Sequence, residues 1–194
     1  MVEYATPAFV PPCHATYCQR GTLQPQKHPL LRYPVDLAKA RGVRPAVVLV
    51  HPEIPGNTGA VGRTCVALDL ELVLIHPLGF VISDARLKRS GLDYWQHIRL
   101  SEYRSWDAFM AERCPRADQL FLFEEYGATS FYEPAYPDDA LLVFGRETKG
   151  LPPEIVGAHP GRLFKLPMAS DKVRSLNLAN TVAAAAYQAM RGKL

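Results

Sequence analysis

After Pro45 the chain alternates between short apolar runs and longer stretches in which apolar residues recur every three or four positions. Ala46–Val50 is a continuous β-branched and apolar run, the pattern of a buried strand. Asn57 to Asp69 has helical spacing, with Gly59 and Gly62 allowing close approach near its start. Glu71–Ile75 reads as a second strand, followed by a turn over Pro77-Leu-Gly-Phe80. Asp84–Arg89 and Ser105–Arg113 read as short helices. Gln119–Phe123 and Ala140–Phe144 are strands, Arg162–Leu166 is a last short one, and Ser175–Arg191 is a strong helix. Strands separated by helical patterns predict an α/β fold with a mostly parallel sheet. No internal repeat interrupts this order.

Two stretches modify that picture. On the last helix, Ala179, Val182, Ala183, Ala186 and Met190 fall on one face, and most are small. Small residues let another backbone approach closely, either the chain's own sheet or a second subunit. Residues 1–45 hold seven of the 17 prolines and no sustained periodicity, so they read as an N-terminal extension to a domain spanning 46–194. Within the extension, Val35 to Arg41 suits a short helix.

Composition adds limits. A chain of 194 residues suits one folded domain, and 48% hydrophobic with 21% charged residues is ordinary for a globular protein. There is no apolar run of membrane-spanning length and no signal-peptide pattern, so a cytoplasmic location is expected and no membrane partner. The extension carries six basic and two acidic residues, a net +4, which leaves the body at −1 within the overall +3. A near-neutral body argues against a large non-specific nucleic-acid surface but permits a local basic patch, supplied by Arg86, Lys88 and Arg89. Cys65 sits in an apolar helical pattern and reads as a buried thiol. Cys13 and Cys18 with His14 and His28 lack the paired Cys-x-x-Cys spacing of a zinc site, so no metal is expected.

The candidate chemistry lies in three loops that follow apolar runs: Pro55-Gly-Asn-Thr-Gly-Ala-Val-Gly-Arg63, Phe144-Gly-Arg-Glu-Thr-Lys-Gly-Leu-Pro152, and Leu166 to Asn180. In an open α/β sheet, ligands bind beyond the carboxyl ends of the strands, on such loops. There is no Gly-x-Gly-x-x-Gly after the first strand and no Gly-Lys-Ser/Thr phosphate loop, which counts against dinucleotides and nucleoside triphosphates bound by the usual routes.

These loops, in this order, resemble the SPOUT or α/β-knot RNA methyltransferases, in particular the branch acting on the ribose 2′-hydroxyl of the tRNA wobble nucleotide. The resemblance runs from about Ala46 to Arg191 and includes His51-Pro-Glu-Ile-Pro-Gly-Asn-Thr-Gly59, Arg63 and Leu87-Lys-Arg-Ser-Gly-Leu-Asp-Tyr-Trp95. It implies S-adenosylmethionine as cofactor, tRNA as substrate, a C-terminal trefoil knot, and a homodimer formed through the small-residue face of the last helix. By the same resemblance Gly145 lets the cofactor approach the strand-end backbone, and Leu166 and Met168 offer backbone groups and an apolar wall to the adenine. Ser175 and Leu176 close the pocket at the start of the final helix, with Phe123 ending a neighbouring strand against it.

Arg63 is the implied catalytic group, orienting the ribose hydroxyl and stabilising the developing alkoxide, because a guanidinium is a poor free base. Tyr187 is implied to reach the catalytic centre across the dimer. Asn57 and Asn177 suit helix capping or contacts to ribose and phosphate. Glu147 suits a loop-amide anchor or a cofactor contact, and Arg174 faces either RNA or the partner subunit. Arg146, Ala60 and Ala179 stand where the family often has Pro, Asn and Ser. The same chemistry on another RNA such as rRNA, and a non-catalytic knotted RNA-binding protein, are the competing readings.

Overall fold

In a computed structural model of the chain, residues 44–81 and 93–194 are described, all of them within one compact unit. Seven strands form one sheet, all of whose pairs are parallel: β1 Ala46–Val50, β2 Glu71–Ile75, β3 Arg99–Tyr103, β4 Leu120–Phe123, β5 Thr129–Ser130, β6 Leu141–Phe144 and β7 Leu163–Lys165. Their spatial order is β3-β2-β1-β6-β4-β7-β5. Among the described residues, four α-helices accompany them: α1 Pro55–Leu68, α2 Trp106–Arg113, α3 Pro153–Ala158 and α4 Leu178–Ala189.

Alternation along the central strands builds two cores. Val47, Leu49, Leu72, Leu74, Leu142 and Phe144 point to one face, where Val61 and Cys65 of α1 and Val182 and Ala186 of α4 cover them. Val48, Val50, Val73, Ile75 and Val143 point to the other, against Phe109 of α2 and Ile155 of α3. Helices on both faces explain why β1, β4 and β6 are apolar at every position. Burial pushes the Cys65 thiol up to about 12, so it is an inert core group.

The expected strands 46–50 and 71–75 are observed, and the other three expected strands lie within their anticipated ranges. Helix α1 starts two residues earlier than expected, because Pro55 takes a first-turn position that needs no backbone donor. It stops at Asp69 in the left-handed conformation. Ser105 is the N-cap of α2, accepting the Ala108 N–H at 3.2 Å. The last helix is shorter than expected. Asn177 caps it, so Ser175 and Leu176 precede the helix and do not open it.

Strand β3 was not anticipated, because Arg-Leu-Ser-Glu-Tyr is a half-exposed edge strand with no apolar alternation. Strand β5 and helix α3 are too short to leave a periodic signal. The expected helices 84–89 and 35–41 lie outside the described residues.

One expectation needs correction. Val182, Ala186 and Met190 are fully buried in the chain's own core, so the small-residue face of α4 packs on its own α1 and sheet. The outward stripe of α4 is Asn180, Ala184, Tyr187 and Arg191. Gly145 is required by the chain itself. A Cβ there would overlap the backbone of Gly150 and Leu151. The loop 146–150 folds back tightly, with Arg146 and Gly150 exchanging backbone hydrogen bonds of 2.9 Å each and Gly150 at φ 69°. Gly145→Val should therefore cost at least about 3 kcal/mol of unfolding free energy in urea titrations. A variant as stable as the parent chain would show that the loop yields cheaply.

Candidate functional site at the carboxyl ends of the strands

The carboxyl ends of β1, β6, β4 and β7, adjacent in the sheet, send out the loops 51–54, 145–152, 124–128 and 166–177. Between the last three of these and the start of α1 lies an open cavity of about 460 Å³, within the range for small-molecule sites. Phe123, Gly145, Leu166, Met168, Ser175 and Leu176, all six expected cofactor residues, line it. Phe123 stacks on Phe144 at 4.6 Å and 11°, which gives the cavity a rigid aromatic wall. Met168 and Leu176 remain 38% and 44% exposed, so two apolar side chains stand ready to be covered.

A clasp of reciprocal hydrogen bonds holds the loops. The Glu147 carboxylate accepts the Glu53 N–H at 2.8 Å, the Ile54 N–H at 3.2 Å and the Asn57 amide at 3.1 Å. In return, the Glu53 carboxylate accepts the Thr148 hydroxyl at 2.7 Å and its N–H at 3.3 Å. Glu147 is thus the loop-amide anchor. The network continues: the Asn57 carbonyl accepts the Asn177 amide at 3.0 Å, and the Asn177 carbonyl accepts the Ala179 N–H at 2.9 Å. Asn177 caps α4, whereas Asn57 is a bridge and caps nothing.

Beside the clasp, the Arg146 guanidinium reaches His51 Nδ1 at 3.0 Å. Burial and then the Arg146 charge lower the His51 pKa, leaving the neutral imidazole as acceptor. His51 takes φ 55° to make the turn out of β1.

Arg63 lies exposed on α1, two turns beyond Asn57. Its guanidinium sits over the Tyr94 ring at 4.6 Å. Arg63, Tyr94 and Tyr187 of the same chain line a shallow groove of about 450 Å³ whose floor includes Gly56, Ala60 and Ala67. Arg174 stands at the cavity, 73% exposed, its Nε 4.0 Å from a Glu125 carboxylate oxygen. Arg86, Lys88 and Arg89 lie outside the described residues.

Among the described residues, no cluster of His, Cys, Asp and Glu is arranged to hold a metal, and no helix is long and apolar enough to cross a membrane. Sequence reasoning missed Glu124, whose carboxylate accepts the Leu151 N–H and lies against Gly150 inside the cavity wall. The signal available was a charged residue placed directly after a fully buried strand.

The residues match a known family at this point. The model of the SpoU rRNA Methylase family matches residues 44–187. The chain belongs to that family. A tRNA (cytidine(34)-2'-O)-methyltransferase of Burkholderia cenocepacia is 45% identical over 146 residues, 75% of this chain and 93% of the relative. The same-named protein of Burkholderia pseudomallei is 44% identical over equal shares. A solved structure described as giving insight into the 2-OH methylation of C/U34 on tRNA shares 45% identity. It has a TM-score of 0.70 and covers 76% of this chain and 95% of that one. An AdoMet-bound rRNA methyltransferase from Sinorhizobium meliloti, at 22% identity and TM-score 0.67, shares the fold across 78% of this chain and 57% of its own.

Glu124 yields a pH test. Burial raises its pKa above the ordinary 4.5, only partly opposed by the Leu151 N–H. Between the ordinary and the raised value, the folded chain holds a proton that the unfolded chain has released. Stability attributable to this group therefore falls as pH rises through that window, then levels off. Glu124→Gln keeps an acceptor for Leu151 and removes the charge. Urea melts from about pH 4 to about pH 7 should show the variant gaining on the parent chain as pH rises. A difference flat with pH, or of opposite slope, would refute this.

Proposed function

We propose that this chain transfers a methyl group from S-adenosylmethionine to the ribose 2′-hydroxyl of the wobble nucleotide, position 34, of tRNA. The observation that carries the reading is 45% identity, across 93% of its length, to a relative named for that reaction. The strand-end cavity supports it. Its volume suits a nucleoside-sized ligand, Phe123, Leu166 and Met168 offer an apolar surface for an adenine, and the loop ends offer backbone donors and acceptors. Glu124 and Glu125 bring negative charge to the cavity, compatible with a cationic sulfonium.

We assign Phe123, Gly145, Leu166, Met168, Ser175 and Leu176 to holding the cofactor, which when bound supplies a methyl group activated on sulfur. Arg63 orients the ribose hydroxyl and a neighbouring phosphate. It stabilises the negative charge that develops on the oxygen as the proton departs to phosphate or water. Arg86, Lys88, Arg89 and Arg174 contribute phosphate contacts. Asn57 and Asn177 meet the RNA with the amide hydrogens that the clasp leaves over. The likeness to relatives named for tRNA favours this substrate over rRNA, and an intact Arg63 groove beside the cavity favours catalysis over passive RNA binding.

We further infer a knotted C-terminal region. After β7 the chain crosses the strand ends through 166–177 and returns as α4 onto α1 and β6, the route such a knot needs. The active form is a homodimer in the cytoplasm, and its domain spans 46–194 after an extension of 1–45. The exposed small stripes of α1 and α4, Gly56, Ala60 and Ala67 with Ala184, are the surfaces we assign to subunit contact, with Tyr187 reaching toward the neighbouring site.

Calorimetry should detect S-adenosylmethionine binding without added metal. Arg63→Ala should keep that affinity while methylation of tRNA, mapped by mass spectrometry at ribose 34, falls by about two to three orders of magnitude. Turnover at the parent rate would reduce Arg63 to a surface residue, and methylation at another nucleotide would redirect the substrate assignment.

Light scattering should give twice the 21.6 kDa chain mass. Ala184→Arg, which puts a charge on the outward stripe and leaves the core untouched, should split the dimer into folded monomers. A mutant that stays dimeric places the interface elsewhere.

A further inference from the structure

We infer that Tyr94 is a positioning residue for Arg63, holding the guanidinium over its ring so that every N–H of that group stays available to the RNA. The inference deepens the proposed role of Arg63 and rests on it.

An arginine that must bind a phosphate and a developing alkoxide faces a conflict. A carboxylate partner would fix its long side chain but occupy the donors it needs. An aromatic face fixes the guanidinium from the side and uses none of them. Arg63 has this arrangement. Among the described residues it makes no ion pair, and its partner is the Tyr94 ring at 4.6 Å.

The ring is itself fixed. The Tyr94 hydroxyl donates to the Gly59 carbonyl at 2.7 Å, one turn before Arg63 on the same helix. The 3-10 turn Asp93–His97 that carries Tyr94 is seated on α1 at Gly62, where a Cβ would meet Ile98 Cδ1 at 2.5 Å and Trp95 Cζ3 at 3.3 Å. A side chain at 62 would push the end of Ile98 aside, so the glycine lets the turn come this close. Three contacts along one turn of α1 therefore set where the Arg63 guanidinium points, with no acidic group involved.

The test uses the full chain with tRNA and S-adenosylmethionine and compares kcat, KM for tRNA and cofactor affinity. Tyr94→Leu should lower kcat about three- to tenfold with cofactor affinity unchanged. Tyr94→Phe, which keeps the ring, should retain most of the activity. The effect acts through Arg63, so Tyr94→Leu should add little in an Arg63→Ala background. Should Tyr94→Leu fail to fold, stepwise fluorination of a phenylalanine at 94 drains negative charge from the ring face with little change of shape, and kcat should fall stepwise.

Parent-like kcat in Tyr94→Leu, an equal loss in both backgrounds, or a flat fluorination series overturns the inference, and Tyr94 then only braces the turn. Parent-like turnover in Arg63→Ala overturns the role of Arg63 itself, a separate failure read from a separate variant.

Discussion

The Glu147 carboxylate is the group on which the site's geometry depends. It gathers two backbone N–H groups from the loop after β1 and the Asn57 amide from α1, 90 to 94 residues away in sequence. Glu53 answers by taking both donors of Thr148. Each loop thus satisfies the other's polar groups, and neither has an equivalent partner if the other moves. Leaving such groups unpaired costs on the order of 1–3 kcal/mol each when buried, less at a half-exposed site such as this. The loop after β6 is also closed on itself, because Gly145 lies where the backbone of Gly150 and Leu151 passes. Loops tied to one another at adjacent strand ends are what turn a sheet edge into a cavity.

From this clasp the order spreads to both helices that flank the cavity. Asn57 hands its carbonyl to Asn177, and Asn177 caps α4, so the first turn of α1 and the first turn of α4 are joined through two amide side chains. The buried face of α4 then packs on α1 and the sheet. The cavity wall, the clasp and the arginine-bearing helix form one mechanical body.

The sequence made the framework legible because its central strands are apolar at every position and its loops concentrate Gly, Asn and charge. Ala46–Val50 and Glu71–Ile75 have a length and composition that admit little else. The residues lining the cavity were legible only through the order of three motifs, since Leu166 or Phe123 alone would pass for core. Other features left no such trace. The polar edge strand Arg99–Tyr103 gains its structure from pairing with β2, a non-local interaction that local pattern cannot encode. The face of α4 was misread because alanines suit a neighbouring subunit and the chain's own helix equally well. Only the position of α1 decides between them. Gly145 read as room for a ligand, and pattern alone could not show that its missing Cβ also makes room for residues five and six positions further on.

Helix α1 carries two different duties on one rod. Asn57 at its start belongs to the cavity wall, and Arg63, about 9 Å further along the axis, belongs to the outer groove. The groove floor is made of Gly56, Ala60 and Ala67, residues that take no part in the clasp. Substitutions on that outer surface can therefore be made without disturbing the cavity. The spacing between the two sites stays set by the pitch of the helix. A fold built this way lets the outer face of α1 change while the cavity wall at its start stays constant.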